Sequence, residues 1–313
     1  MTTICIYGTV FNNAPWVEES IRSVWRPDAE IVVVDSYSTD GTWEKLLELR
    51  KDYNLKLYRY KCTRGLGRHI ALYKCSEGST TAYFDLDTVY NEAFHKVVEY
   101  GASTGLKILA AGTFVAKRES IVRRCGWRDL NYGEDVEMVS RVGFNVAIPV
   151  IVGRNEYIPA LMSMRERRYG SLRRVTKASI DLLRGHATSL ERLLVNRSKR
   201  CALFYIPARL MGFYRNRDPD NATWLELALL AKSIRPRDAG VPERYFWFVA
   251  TLMLLKKVDR GEKTVDALVS RLVDKPVLKL YLRSREIRII YLKDYEVMDK
   301  SYLPLAERIG LLE

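Results

Sequence analysis

Two rhythms of apolar residues alternate over the first half of the chain. Unbroken β-branched or aromatic runs give way to stretches where apolar positions return every three or four residues. Ile4–Val10 and Ile31–Asp35 are runs of the first kind, and such continuity marks strands buried on both faces. Lys56–Tyr60, Thr80–Phe84, Ile108–Ala116 and Val146–Val152 predict further strands. Between them a helix is expected from Pro15 to Trp25, because a proline-fixed φ suits a first helical turn. A second runs from about Thr42 to Asp52, capped by Asp40 and with Glu44 in its first turn. A third begins near Leu66, a short one ends near Gly126, and one over Glu134–Gly143 closes on a glycine. This order predicts an α/β fold, a mostly parallel sheet with helices on both faces.

The alternation stops near residue 153. Helical patterns follow at Leu172–Val195, Trp224–Lys232, Arg244–Lys257 and Val265–Leu280, with an isolated strand at Ile287–Leu292. No repeat or low-complexity linker intervenes. By pattern the chain divides into 1–155 and a basic, mainly helical C-terminal region, 156–313.

Charge sharpens that division. The net charge is +13, yet residues 1–150 hold 19 basic and 19 acidic side chains, whereas 151–200 hold 12 and 4. The basic excess of the second half fits either a solvated face or an anionic partner. Nucleic acid would call for aromatics interleaved with the charge, and RERRYGSLRR (165–174) has only Tyr169. A phosphorylated lipid or a membrane surface suits it better. The pattern at Tyr245–Leu255 reads as a core helix with basic ends, or as one lying in an interface. No apolar run reaches the roughly 20 residues of a bilayer span, and no leader pattern is visible. Five cysteines without a CxxC pair argue against a disulfide framework and a structural zinc, and for a reducing compartment. A cytoplasmic protein, with peripheral contact to the inner face of a membrane, is the expectation.

The candidate chemistry is acidic. Ligands of open parallel sheets bind beyond the carboxyl ends of the strands. Asp35 closes the second strand, Asp85 and Asp87 close the fourth, and Glu134-Asp135 open a helix. Mg2+ or Mn2+ takes few protein carboxylates and completes its shell with phosphate and water, which an Asp-x-Asp pair allows. A carboxylate across the cleft can take a proton from an acceptor hydroxyl. Gly65-Leu66-Gly67 suggests a dinucleotide fingerprint, and Asp85 even falls 20 residues on. Ile70 stands where its third glycine belongs, however, and the loop follows the third strand rather than the first.

These blocks together resemble family 2 of the glycosyltransferases, with the GT-A fold, over roughly residues 3–150. Ile31–Thr42 (IVVVDSYSTDGT) is similar to the family's strand with Asp, Ser, Asp-Gly and Thr. Arg64–Ala71 (RGLGRHIA) is similar to its glycine-rich loop and Ala-Arg-Asn, with Arg68 on the arginine and His69 in place of asparagine. Phe84–Asp87 matches Asp-x-Asp, and Gly112–Arg141 resembles the segment holding Gly-Glu-Asp. The first strand departs, with Gly8-Thr9-Val10-Phe11-Asn12 where the family often has Pro-x-Tyr-Asn.

The resemblance implies a metal-dependent, inverting transfer from a nucleoside diphosphate-sugar. Asp35 is then expected at the nucleoside, with Thr9, Asn12, Arg68 and Asp85 also on the donor. Asp87 and Asp85 serve Mg2+ or Mn2+, Asp135 is the base, and Glu134 supports it. The acceptor, a lipid-linked phosphate, a glycan or a protein, is left open. A nucleotidyltransferase on a related sheet, or a non-catalytic lipid- or nucleic-acid-binding protein, are the alternatives. Asp40 is expected to cap, Arg141 to form a structural ion pair, and His69, His95 and His186 to pack or lie on the surface rather than bind metal.

Overall fold

The computed structural model describes residues 3–154, 171–186, 204–213, 290–292 and 295–297. Strands β1 (Ile4–Val10), β2 (Ala29–Asp35), β3 (Leu55–Arg59) and β4 (Thr80–Tyr83) alternate with helices α1 (Val17–Val24), α2 (Thr42–Leu49) and α3 (Arg64–Lys74). After β5 (Val89–Tyr90) come α4 (Glu92–Thr104), β6 (Ile108–Ala111), β7 (Thr113–Lys117), α5 (Arg118–Val122), α6 (Glu134–Val142), β8 (Val146–Ile151) and β9 (Gly153–Arg154). Helices α7 (Ser171–His186) and α8 (Tyr205–Leu210) and strands β10 (Ile290–Leu292) and β11 (Tyr295–Val297) complete the described elements.

Nine strands form one sheet in the order β10-β11-β8-β6-β7-β4-β1-β2-β3. Strands β3, β2, β1 and β4 are mutually parallel. Strand β7 runs antiparallel to β4 and β6, and β6 is parallel to β8. The sheet is thus mostly parallel, as the sequence predicts, with an antiparallel insertion. Side-chain alternation along β1 divides the core. Ile4 and Ile6 join residues of α1, α2 and α4 on one face, and Cys5 and Tyr7 join residues of α3, α5 and α6 on the other.

Four expectations need correction. The single strand over Ile108–Ala116 is two antiparallel strands, because Gly112 (φ 110°) turns the chain between them. The segment containing Gly65-Leu66-Gly67 is not a loop but the first turn of α3, whose start is capped by the Thr63 hydroxyl accepting from the Leu66 amide at 3.1 Å. The strand near 287–292 is not isolated: β10 pairs with β11, and Val297 of β11 pairs with Val150 of β8. Cys5 and Cys75 are joined in a disulfide across 70 residues of sequence, against the expectation of unpaired cysteines. Helix α4, absent from the reading of the sequence, buries Ala93, Phe94, Val97 and Val98 on one side. The helices expected over 224–232, 244–257 and 265–280 lie outside the described residues, as does most of the basic segment 165–174.

The Cys5–Cys75 bond fastens the start of β1 to the end of α3. A disulfide typically stabilises a fold by about 2–4 kcal/mol, and in the chain-entropy view a loop this long belongs at the upper end of that range. Non-reducing peptide mapping should find the two cysteines linked. Cys5→Ser, or reduction of the native protein, should lower the unfolding free energy in urea by that amount. Equal midpoints with and without reductant would contradict the linkage.

Candidate active site

The carboxyl edge of the parallel strands is built from four chain segments. The first is β1 and the turn after it. Thr9 donates its hydroxyl to the Val34 carbonyl (2.9 Å), tying β1 to β2. Asn12 adopts φ 51°, and its side-chain oxygen accepts from the Thr39 amide at 2.8 Å, while its own amide donates to the Ser38 hydroxyl.

The second segment is the end of β2. Asp35 is fully buried, accepts from Arg59 Nε at 3.0 Å, and receives the Ser38 amide on both oxygens. A buried carboxylate needs such partners. Arg59 also lies over the rings of Tyr37 (5.0 Å) and Trp43 (5.2 Å). Tyr37 holds φ 57°, unusual for a side chain of its size, and is 52% exposed. The N-cap of α2 is Gly41 rather than the expected Asp40, because the chain turns there with φ 91°; Asp40, one residue earlier, accepts from the Thr42 amide at 3.2 Å.

The third segment follows β4. The Asp85 amide donates to the Tyr90 hydroxyl at 2.9 Å, which in turn donates to the Gly112 carbonyl. The Asp85 side chain is 41% exposed and accepts from Arg68 Nη2. Asp87 lies two residues on, half-buried, with the Thr88 hydroxyl donating to it at 3.4 Å. Oxygen donors on a partly open strand end fit a hard dication such as Mg2+ or Mn2+.

The fourth segment opens α6. Gly133 (φ 69°) turns the chain so that Glu134 starts the helix; Glu134 is buried and Asp135 half-buried. Glu134 accepts from Arg68 Nη1 at 3.0 Å, with Arg64 at 3.6 Å. Burial pushes the Glu134 carboxyl up to about 7, although Arg64 and Arg68 pull it down. Burial opposes the charge on Arg68 itself, but Asp85 and Glu134 more than offset this, and the arginine stays protonated.

Arg68 therefore bridges the third and fourth segments from beneath. The two glycines of α3 make this possible. A side chain at Gly67 would lie 2.2 Å from Thr9 Oγ1, and one at Gly65 would lie 2.0 Å from the Arg128 carbonyl. Their smallness lets α3 press against β1 and against the strap before α6, where the Gly65 amide donates to the Leu130 carbonyl at 2.8 Å. Packing accounts for the Gly-x-Gly, with no phosphate needed.

Several participants were not foreseen from sequence: Arg59, Tyr37, Trp127 and Tyr83. Arg141 pairs with Glu137 at 2.7 Å, the structural ion pair expected of it. His69 and His95 contact the carbonyls of Trp127 and Ser23, as packing residues do. His186 closes α7, and its side chain lies outside the described residues. The compact groups of three metal-ligating side chains among the described residues reduce to Cys5, Glu30 and Cys75, away from Asp85 and Asp87. There the disulfide occupies both sulfurs, and Lys56 pairs with Glu30.

Residues 5–142 match the model of glycosyl transferase family 2. Among solved structures, the chain is similar to the mannosyltransferase PcManGT from Pyrobaculum calidifontis, in complex with GDP-Man and Mn2+. Identity is 17%, coverage 90% of this chain and 88% of that one, and the TM-score 0.43. S. aureus TarS 1–349 is similar at 14% identity, covering 96% and 97%, with a TM-score of 0.44. No curated protein sequence matches the chain.

The buried Glu134 yields a pH prediction. Its proton is held more tightly in the folded protein than at its ordinary value of 4.5. Its contribution to stability is therefore complete below about 4.5 and is lost as pH rises through about 7. Glu134→Gln cannot titrate. Urea midpoints of the two proteins should diverge across that window, wild type falling relative to the variant. Parallel curves would refute the assignment.

Proposed function

We propose that this glycosyltransferase, a member of family 2 through residues 5–142, moves a sugar from a nucleoside diphosphate donor to an acceptor hydroxyl with inversion. The observation that carries this reading is the junction at Arg68, which draws Asp85 and Glu134 to one edge of the sheet. Asp87 and Asp135 flank that junction in sequence, and Asp35 closes the neighbouring strand pair.

Each residue has a task in this scheme. Asp35 serves the nucleoside end by fixing the Ser38 amide and Arg59 beside Tyr37. Thr9 and Asn12 shape the floor and the turn under the donor. Asp87, with Asp85, holds Mg2+ or Mn2+, which when bound stabilises charge on the leaving diphosphate. Asp135 accepts the proton of the acceptor hydroxyl as the acceptor oxygen bonds to the anomeric carbon. The bond from that carbon to the diphosphate oxygen breaks, and its electron pair leaves with the diphosphate. Glu134 sits beside the base and keeps Arg68 in place. The acceptor is a lipid-linked phosphate, a glycan or a protein, and the basic charge carried in the sequence of residues 156–313 favours contact with an anionic membrane surface. No described helix is long and apolar enough to cross a membrane.

The test uses the full chain with Mn2+ and a panel of UDP-, GDP- and dTDP-sugars. One donor should raise the melting temperature and be hydrolysed slowly, and chelation should abolish both effects. A panel without any metal-dependent response would sink the proposal. Asp135→Asn should bind the same donor but lose about a hundredfold or more in transfer rate, the usual worth of a positioned base. Undiminished transfer would remove Asp135 from that role.

A further inference from the structure

We propose that Trp127 is a positioning residue of this enzyme, one that fixes Arg68 in the corner it forms with Tyr83 and so sets Asp85 against Glu134. The inference rests on the proposed function and names a residue that acts through another rather than on substrate.

Arg68 is 2% exposed, Tyr83 6% and Trp127 3%. The guanidinium carbon lies 4.7 Å from the Tyr83 ring centre and 4.8 Å from that of Trp127. The two rings are perpendicular, 5.2 Å apart, so they make a corner rather than a slot. A cation in such a corner is attracted to both π faces, and the more so away from water.

The polar contacts of Arg68 leave the orientation of its plane open to change. Nη1 serves Glu134, Nη2 serves Asp85, and Nε has no hydrogen-bond partner. Guanidinium groups prefer to grip one carboxylate with two nitrogens. Here the group is shared between two carboxylates on separate chain segments and Nε goes unused. Something other than hydrogen bonding must hold the plane where both are reached, and the two rings are the groups in contact with it.

Trp127 is itself fixed from other directions. Its indole Nε1 donates to the Tyr7 hydroxyl at 2.9 Å, and its carbonyl contacts His69 Nδ1 at 3.1 Å. Tyr7 lies on β1 and is fully buried, so the indole is referenced to the central strand of the parallel half. The strap from Gly126 to Gly133 then leads directly to Glu134. Trp127 thus ties the start of that strap to the sheet, and Arg68 ties its end to Asp85.

The experiment is a double-mutant cycle read by calorimetric binding of Mn2+ with GDP and of Mn2+ with UDP to the full chain. Trp127→Leu should weaken binding of the nucleotide that wild type prefers by about tenfold, a contact-sized coupling. Trp127→Phe keeps a ring face and should recover most of the loss. In an Arg68→Met background, Trp127→Leu should add less than about twofold, because the residue it positions is gone. Should Trp127→Leu fail to fold, Tyr7→Phe, which unfastens the indole but keeps the ring, is read in the same cycle. Wild-type affinity in Trp127→Leu, equal losses in the Phe and Leu variants, or losses that multiply in the double variant would each overturn the inference. If wild type binds neither nucleotide, the proposed function falls and takes this inference with it. Normal binding by wild type with an indifferent Trp127→Leu overturns the inference alone.

Discussion

The burial of one arginine governs the layout of this protein's carboxyl edge. A guanidinium at 2% exposure is untenable without charge partners, since removing it from water costs several kcal/mol. Arg68 finds two, Asp85 after β4 and Glu134 at the start of α6. The requirement runs both ways. Glu134 is equally buried and needs Arg68, and Asp85 is drawn inward on one side while staying open on the other. Losing Arg68 would leave the buried Glu134 with Arg64 alone at 3.6 Å, so the three elements are held together by a penalty as much as by an attraction.

The close approach of α3 to the sheet is what allows this burial, and it depends on glycines. Gly67 against Thr9 and Gly65 against the Arg128 carbonyl leave no room for a methyl group. The Cys5–Cys75 bond holds the far end of the same helix. Helix α3 is thus pinned at its start by backbone contact and at its finish by a covalent link, with Arg68 between.

Local signals made most of the sheet legible. The β-branched run 31–35 and the Gly-terminated helix from Glu134 both stand where their residues predict, because each depends on neighbours in sequence. The site acids were legible for the same reason, as strand ends and a helix start. What escaped depends on folding distance. Cys5 and Cys75 meet only once α3 packs on β1. Arg59 is paired with Asp35 by the register of β2 and β3. Trp127 reaches Arg68 through an irregular strap that has no periodicity to read. The hairpin at Gly112 is a case between the two. Its glycine was visible, but the unbroken apolar run on both sides reads as one strand until antiparallel pairing is seen.

The charge balance of the edge bears on why the proposed chemistry would call for a dication. Asp85, Asp87, Glu134 and Asp135 face Arg64 and Arg68, so with all carboxylates ionised these six groups sum to about minus two, before a diphosphate contributes about as much again. Arg68 cannot turn to the incoming phosphates without abandoning Asp85 or Glu134, and Arg59 is likewise committed to Asp35. Arg68 and Arg59 are thus consumed in building the floor. In the proposed chemistry a dication arriving with the donor would add positive charge above the floor, and Asp87 beside the half-open Asp85 is where it would be received. Protonation of Glu134, whose carboxyl burial pushes up to about 7, would lighten the same negative load. Donor entry and the state of that buried acid are thereby linked, since one positive charge in the cleft makes the other less necessary.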